Sequence, residues 1–144
     1  MAETLDFFLN ESVVPRAFAA FVMMSATETC LGILRIFVLA NYVSKPTLEK
    51  LGIASAMTSV LAISYSTIDW IHPVTRLDLA KIGVLWYGSM IGFDVLIGRL
   101  AGSSWDEIKA ALNPVKGGYL GLYMSVLFVA PFVAYGSKHS RYED

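Results

Sequence analysis

Four long blocks of apolar residues, separated by short polar segments, constrain the fold of this chain more than any other feature of its sequence. Each block is close to the roughly 20 residues with which an α-helix crosses ~30 Å of hydrocarbon. Hydrophobic residues make up 56% of the 144 positions and charged residues only 16%, which lies outside the usual range of water-soluble domains. The sequence therefore predicts an all-α integral membrane protein with four transmembrane helices.

Helix-start signals mark the polar segments between these blocks. Ser12 and Ser44 are candidate N-caps, each followed closely by a proline, and Thr75 with Asp78 has the spacing of a capping box. We predict a single bundle with spans over residues 13–42, 47–71, 79–100 and 118–136. An even number of spans puts both termini on the same side of the membrane. Lysine and arginine divide almost evenly between the two sides, so the positive-inside rule gives no orientation.

A shorter helix is predicted between the third and fourth spans, over residues 104–112. Ser104 and Glu107 have the S-x-x-E spacing of a capping box, which opens a helix too short to cross a bilayer. Trp105 and Ile108 follow at helical spacing and give this helix one apolar face. We therefore expect it to lie in the plane of the membrane interface.

Several functional classes are excluded by composition and by the absence of motifs. The formal net charge of −1 provides no basic surface for nucleic acid, and the single cysteine, Cys30, excludes an intrachain disulfide or a Cys-rich metal site. The sequence contains no nucleophile-base motif, glycine-rich phosphate loop or H-E-x-x-H motif. We expect no catalytic residues, and no metal or cofactor bound by this chain alone, although lipids should bind. It is not expected to be an enzyme by itself but is compatible with membership of a membrane enzyme complex.

Two acidic residues interrupt the apolar blocks at matching depth. At 1.5 Å per residue, Glu28 lies ~18 Å along its helix from Arg16, and Asp94 lies ~20 Å from Lys81. An isolated carboxylate near the bilayer centre costs at least ~2.5 kcal/mol, so both acids should face the interior of the bundle. The same count brings further polar residues close to this depth. We predict a buried polar layer made of Glu28, Arg35, Asp94, Arg99 and Tyr123.

This polar layer has two interpretations. In the favoured one, it is a structural ion-pair network in which Glu28 stays ionised and pairs with Arg35 or Arg99. In the alternative, Glu28 and Asp94 exchange protons or bind a cation, and a water-filled cavity should then reach Glu28. The geometry around the two carboxylates distinguishes these interpretations.

Gly88 and Gly92 form a G-x-x-x-G motif in the third span. Small residues at this spacing allow a second helix backbone to approach closely in a membrane. We therefore predict that these two glycines are a helix-packing site.

A weaker candidate site lies near the end of the second span. Asp69 and His72 have a D-x-x-H spacing that can orient a ligand or relay a proton, and Arg76 follows after a short loop. Two ligands do not make a metal site, so helix-end and loop roles are the simpler interpretation for these residues.

Three functions remain open on the sequence. The favoured hypothesis is a small non-catalytic, accessory subunit of a larger membrane protein complex, with other membrane subunits and the lipid bilayer as partners. The first alternative is a small proton- or cation-coupled transporter or channel that acts as an oligomer. The second is a quinone- or lipid-binding membrane anchor, in which Trp70, His72 and Arg76 line an interfacial pocket.

Overall fold

The computed structural model describes residues 13–113, 115 and 119–140, and within these ranges it contains helices and turns but no β-strand. The elements are α1 (Val13–Leu34), which continues as a π-helical segment (Arg35–Leu39), α2 (Lys45–Ile71), α3 (Arg76–Leu100), α4 (Trp105–Leu112) and α5 (Tyr119–His139). The predicted all-α class is confirmed for this part of the chain.

Three of these helices are long and apolar enough to cross a membrane. They are Val13–Leu39, Lys45–Ile71 and Arg76–Leu100. This finding supports the prediction of a membrane protein built as a helix bundle. α5 coincides with the fourth predicted span but is not among the three helices that meet these criteria, so a fourth span is not confirmed.

The first helix ends earlier than its apolar run. The sequence predicts an end near residue 42, but the helical backbone stops at Leu39. The backbone N–H groups of Tyr42 and Val43 both donate to the Leu39 carbonyl, at 3.0 and 3.2 Å, and close a turn. Hydropathy cannot separate an apolar turn from an apolar helix, which is why the predicted end was wrong.

Both predicted capping boxes are confirmed. The side chain of Thr75 accepts from Asp78 N and the Asp78 carboxylate accepts from Thr75 N, each at 3.1 Å. Ser104 accepts from Glu107 N at 3.2 Å, and Glu107 accepts from Ser104 N at 2.7 Å. Since these boxes fix helix starts locally, α3 begins at Arg76, before the predicted residue 79, whose position was set by hydropathy alone.

The start of α2 and the end of α5 differ from the predicted boundaries by a few polar residues. α2 begins at Lys45 with Pro46 in its first turn, and Ser44 bonds to the Thr47 hydroxyl (2.8 Å) instead of capping an amide. α5 continues past the predicted residue 136 to His139, because polar residues extend the helix beyond the apolar run. Ser12 and the predicted start of the fourth span at residue 118 lie outside the described residues.

The four long helices form a bundle in which α1 packs against α2 and α3, and α5 packs against the same two helices from the other side. α1 and α5 share no backbone contact within the described ranges, so they occupy diagonal positions. The indole N–H of Trp86 in α3 donates to the Ala17 carbonyl in α1 at 2.8 Å. α4 lies against α3 and α5.

Among the described residues, the hydrophobic core lies towards one end of the bundle. Buried residues stop at Ser25 in α1 and at Met90 in α3, whereas in α2 most of them lie from Val60 onward. We call this the Arg16 end, because Arg16 there donates to the Trp70 carbonyl at 2.8 Å. The opposite end, where α4 lies, is called the α4 end. It contains the candidate site.

Candidate functional site

A hydrogen bond between the diagonal helices crosses the centre of the bundle. The hydroxyl of Tyr123 in α5 donates to Oε1 of Glu28 in α1, and the Tyr123 side chain is buried. Tyr123 is itself part of the hydrophobic core, together with Met124 and Leu127 of the same helix. The bond therefore lies where the packed core gives way to a polar region.

Glu28 also faces a cavity of about 190 Å³ towards the α4 end, a volume that accommodates several water molecules. α1, α2 and α3 all contribute to its lining. The lining residues include Glu28, Thr29, Arg35, Ser55, Phe93 and Asp94. The cavity thus joins the acids of two apolar helices, one arginine and two hydroxyl groups.

Asp94 has an unmet hydrogen-bonding requirement. Its Oδ2 atom is buried and has no hydrogen-bond partner among the described residues. A buried acceptor left without a partner costs about 1–3 kcal/mol, and more when it is charged. Water, a proton or a cation in the adjoining space would satisfy this oxygen.

Arg35 lies at the same cavity without contacting either carboxylate at ion-pair distance. Its Nε donates to the Leu31 carbonyl at 3.3 Å, and its guanidinium covers Gly52 of α2. A Cβ on Gly52 would lie only 1.7 Å from one guanidinium nitrogen, so the missing side chain makes room for the arginine. The π-helical segment begins at Arg35, and π-helical turns occur frequently at functional sites.

Among the described residues, no lysine or arginine forms an ion pair with Glu28 or Asp94; the pairs present are Lys81 with Asp78 and Lys138 with Asp69. Arg99, the fifth member of the predicted layer, lies apart from the cavity. Its guanidinium packs over the Trp105 ring at 5.0 Å and donates to the Ser103 carbonyl at 3.2 Å. The structure thus brings four of the five predicted residues together and leaves Arg99 at the exposed end of α3.

The three residues of the weaker candidate site, Asp69, His72 and Arg76, do not come together as one site. Asp69 pairs with Lys138 of α5 at 2.7 Å, whereas His72 is exposed and takes a left-handed backbone conformation (φ 60°) at the end of α2. Both line a cavity of about 380 Å³ that also includes His139. Arg76 is not among the residues that line it. No group of three metal-ligating side chains suited to an ion occurs in the described segments.

Gly88 and Gly92 face open space within this chain. A Cβ added to either glycine would meet no heavy atom within 4 Å. The close helix contact inside the bundle is instead at Gly83, where a Cβ would lie 2.6 Å from the Phe128 carbonyl oxygen of α5. The predicted packing role of Gly88 and Gly92 therefore stays a prediction that concerns another chain.

Sequence reasoning missed Gly52, Gly83 and Ser55. Thr58 and Ser59 are closer to the calculated depth of the acids but do not line the cavity, whereas Ser55 does, with its hydroxyl donating to the Gly52 carbonyl at 2.9 Å. Ser55 lies one turn nearer the α4 end, at the level of Arg35. Ser55 would have been identified if the calculated depth of α2 residues had been compared with that of Arg35 as well as with that of the acids.

The fold and the cavity define an all-helical bundle with a polar, carboxylate-lined site between helices suited to a membrane. Comparison of the chain with protein-family models, with curated proteins and with solved structures gave no match. The functional argument therefore rests on the geometry of this site.

Proposed function

We propose that this chain is a small multi-pass membrane protein that moves protons or a small cation and works as an oligomer. The observation that carries the proposal is the cavity that Glu28 and Asp94 share. Among the described residues, no lysine or arginine forms an ion pair with either carboxylate. In a low-dielectric interior, an acid without a cationic partner is stabilised by taking up a proton or by binding a cation. Reversible binding of this kind is what a transport site requires.

The structural ion-pair interpretation receives less support from this geometry. A buried ion pair compensates for desolvation only when its geometry is good and the remaining polar atoms are satisfied. Arg35 instead bonds to its own helix and covers Gly52, and the Asp94 oxygen is unpartnered. A stabilising ion-pair network would have both good ion-pair geometry and hydrogen-bonded polar atoms.

The proposed topology has four spans, with α5 as the fourth and α4 at the membrane interface. α5 is 21 residues long and packs along α2 and α3, which both meet the criteria for a membrane span. Because α5 packs along these two helices, we expect it to lie in the membrane with them. With four spans, the two termini lie on one side of the membrane.

Oligomerisation is part of the proposal because four helices are few for a complete transport pathway. Gly88 and Gly92 form a flat patch on α3, and a Cβ added at either position would contact no other described residue. Helices in membranes associate closely at such positions. A second copy of the chain is the partner proposed here.

The second candidate function is a non-catalytic subunit of a larger membrane complex, and the same open glycine surface favours it. In that case the partner at Gly88 and Gly92 is a different protein. The quinone-anchor alternative has no comparable support, since Trp70 lies under the Arg16 guanidinium and only His72 of the proposed residues lines the nearby cavity. For either candidate, we propose no catalytic activity and no cofactor held by this chain alone.

Proton flux in reconstituted vesicles tests the proposed function. The purified chain is incorporated into liposomes containing a pH-sensitive dye, and flux is driven by a potassium diffusion potential. Glu28→Gln and Asp94→Asn keep side-chain size and hydrogen-bonding capacity but cannot exchange a proton. We expect both to lower flux to the level of protein-free vesicles without changing the yield of folded protein.

Glu49→Gln is the matched control, because Glu49 is an exposed acid of α2 away from the cavity. It should retain the flux of the unmodified chain. If instead Glu28→Gln destroys folding or assembly and Glu49→Gln does not, the carboxylate is structural and the accessory-subunit function replaces the transport function.

A further inference from the structure

A second cavity, of about 170 Å³, lies between α3 and α4 and shares one residue with the first. Asp94 lines both. Along the second cavity, Val95 and Gly98 belong to α3, whereas Glu107 and Ile108 belong to α4. Asp94 thus stands between the central cavity and a space that leads to the α4 end of the bundle.

Glu107 supplies a carboxylate at the other end of this second cavity. It is an exposed residue in the first turn of α4, and one of its oxygens accepts from Ser104 N. The capping box with Ser104 fixes its position. The cavity lining therefore contains, among mainly apolar residues, an exposed acid and the Asp94 carboxylate, whose Oδ2 has no partner among the described residues.

Gly98 of α3 faces the Ile108 side chain of α4 along the wall of this space. A Cβ on Gly98 would lie 3.4 Å from two carbon atoms of the Ile108 side chain. α4 therefore lies close over α3 at this part of the cavity wall.

We propose that the cavity under α4 is a hydrated access route for protons or a small monovalent cation, leading from Glu107 to Asp94 and then to Glu28. The inference deepens the proposed function by naming the path to its site. Acidic groups at the mouth of a narrow, low-dielectric passage raise the local concentration of cations. The unpartnered Asp94 oxygen is the next group that such an ion or a water molecule would meet.

Cysteine labelling tests whether this route contains water, without any need for flux. In a Cys30→Ser background, Val95→Cys places a thiol in the cavity, whereas Leu96→Cys places one at a neighbouring residue that is 56% exposed on the outside of the bundle. In liposomes, a membrane-impermeant, charged thiosulfonate reagent should label position 95 and leave position 96 unlabelled, because only the former faces water. Equal protection of both positions would mean that lipid or protein fills the space, and would overturn the proposal.

The role of Glu107 is tested with reagents of opposite charge. A cationic thiosulfonate should label Val95→Cys about tenfold faster than an anionic one, because of the acids along the route. Adding Glu107→Gln should reduce this ratio several fold, while glutamine still supports the capping box. Asp106→Asn removes the same charge from the adjacent exposed residue, which does not line the cavity, and should leave the ratio unchanged.

The two proposals fail in distinguishable ways. Absence of flux in the unmodified chain contradicts transport, whereas labelling of position 95 still decides whether water reaches Asp94. Normal flux with an unlabelled position 95 keeps the transport function and rejects this route. An equal effect of Glu107→Gln and Asp106→Asn on the labelling ratio rejects Glu107 as the entrance group.

Discussion

At the scale of single residues, the site depends on groups whose partners lie on distant helices. Tyr123 is 4% exposed and reaches across the bundle to Glu28, which places a donor against one of two intramembrane carboxylates. The other carboxylate, on Asp94, has no such donor among the described residues. The two acids therefore differ: Glu28 is anchored by a neutral hydroxyl, and Asp94 is available to water or a cation.

Tyr123→Phe should lower the free energy of unfolding by about 1–3 kcal/mol, because it leaves a buried acceptor on Glu28 without its donor. The measurement is denaturation in mixed micelles with increasing sodium dodecyl sulfate. Tyr87→Phe is the control, since Tyr87 is 40% exposed on α3. Equal stability of the two variants would show that the Tyr123 hydroxyl contributes nothing to folding.

At the scale of helices, two glycines adjust how the bundle packs. Gly52 makes room for the flexible end of Arg35, whereas Gly83 faces the backbone of α5 at Phe128. These contacts differ in what can move: a guanidinium can rotate into the cavity, but a backbone carbonyl in a packed helix cannot. Gly83 therefore fixes the distance between α3 and α5, and Gly52 fixes the position of one charged group.

Gly83→Ala should destabilise the bundle by about 1–3 kcal/mol, because its Cβ would lie 2.6 Å from the Phe128 carbonyl oxygen and force the two helices apart. Gly136→Ala is the matched control in α5, where a Cβ meets nothing within 4 Å and alanine favours the helix. The same detergent titration compares them. A Gly83→Ala variant as stable as Gly136→Ala would contradict the close contact.

At the scale of the whole molecule, packing is uneven along the bundle. The core and the Asp69–Lys138 ion pair lie towards the Arg16 end, where a cavity of about 380 Å³ borders Asp69, whereas the two cavities that meet at Asp94 lie towards the α4 end. The π-helical segment at that end is also exposed, with Phe37 at 76%. The proposed transport site therefore lies outside the part of the bundle that the described core residues hold together.

Replacing both Gly88 and Gly92 by leucine should abolish oligomers while leaving the monomer folded, because the added side chains meet nothing inside the chain. Light scattering of the detergent-solubilised protein and chemical crosslinking in liposomes measure the oligomeric state. Gly136→Leu adds the same side chain at another open position and should leave the oligomer intact. Oligomers that persist in the double variant would exclude this surface as the interface.

The sequence by itself determined the features that depend on local interactions. The capping boxes at Thr75 and Ser104 are formed by residues three positions apart, so their spacing was sufficient to predict them. The lengths of the apolar blocks gave the helical class, and the constant rise per residue put Glu28 and Asp94 at matching depth; both line one cavity in the structure. Depth along a helix can be calculated from sequence alone.

Only the tertiary structure decided how each helix is rotated and what lies opposite each residue. Arg99 has a depth compatible with the polar layer, but its side chain turns away from the cavity and packs over Trp105. Gly83 carried no motif, yet it makes the close contact with α5, while the motif at Gly88 and Gly92 faces outward. Rotation about a helix axis is set by the packing of all four helices together, because no local interaction within a helix favours one facing direction over another.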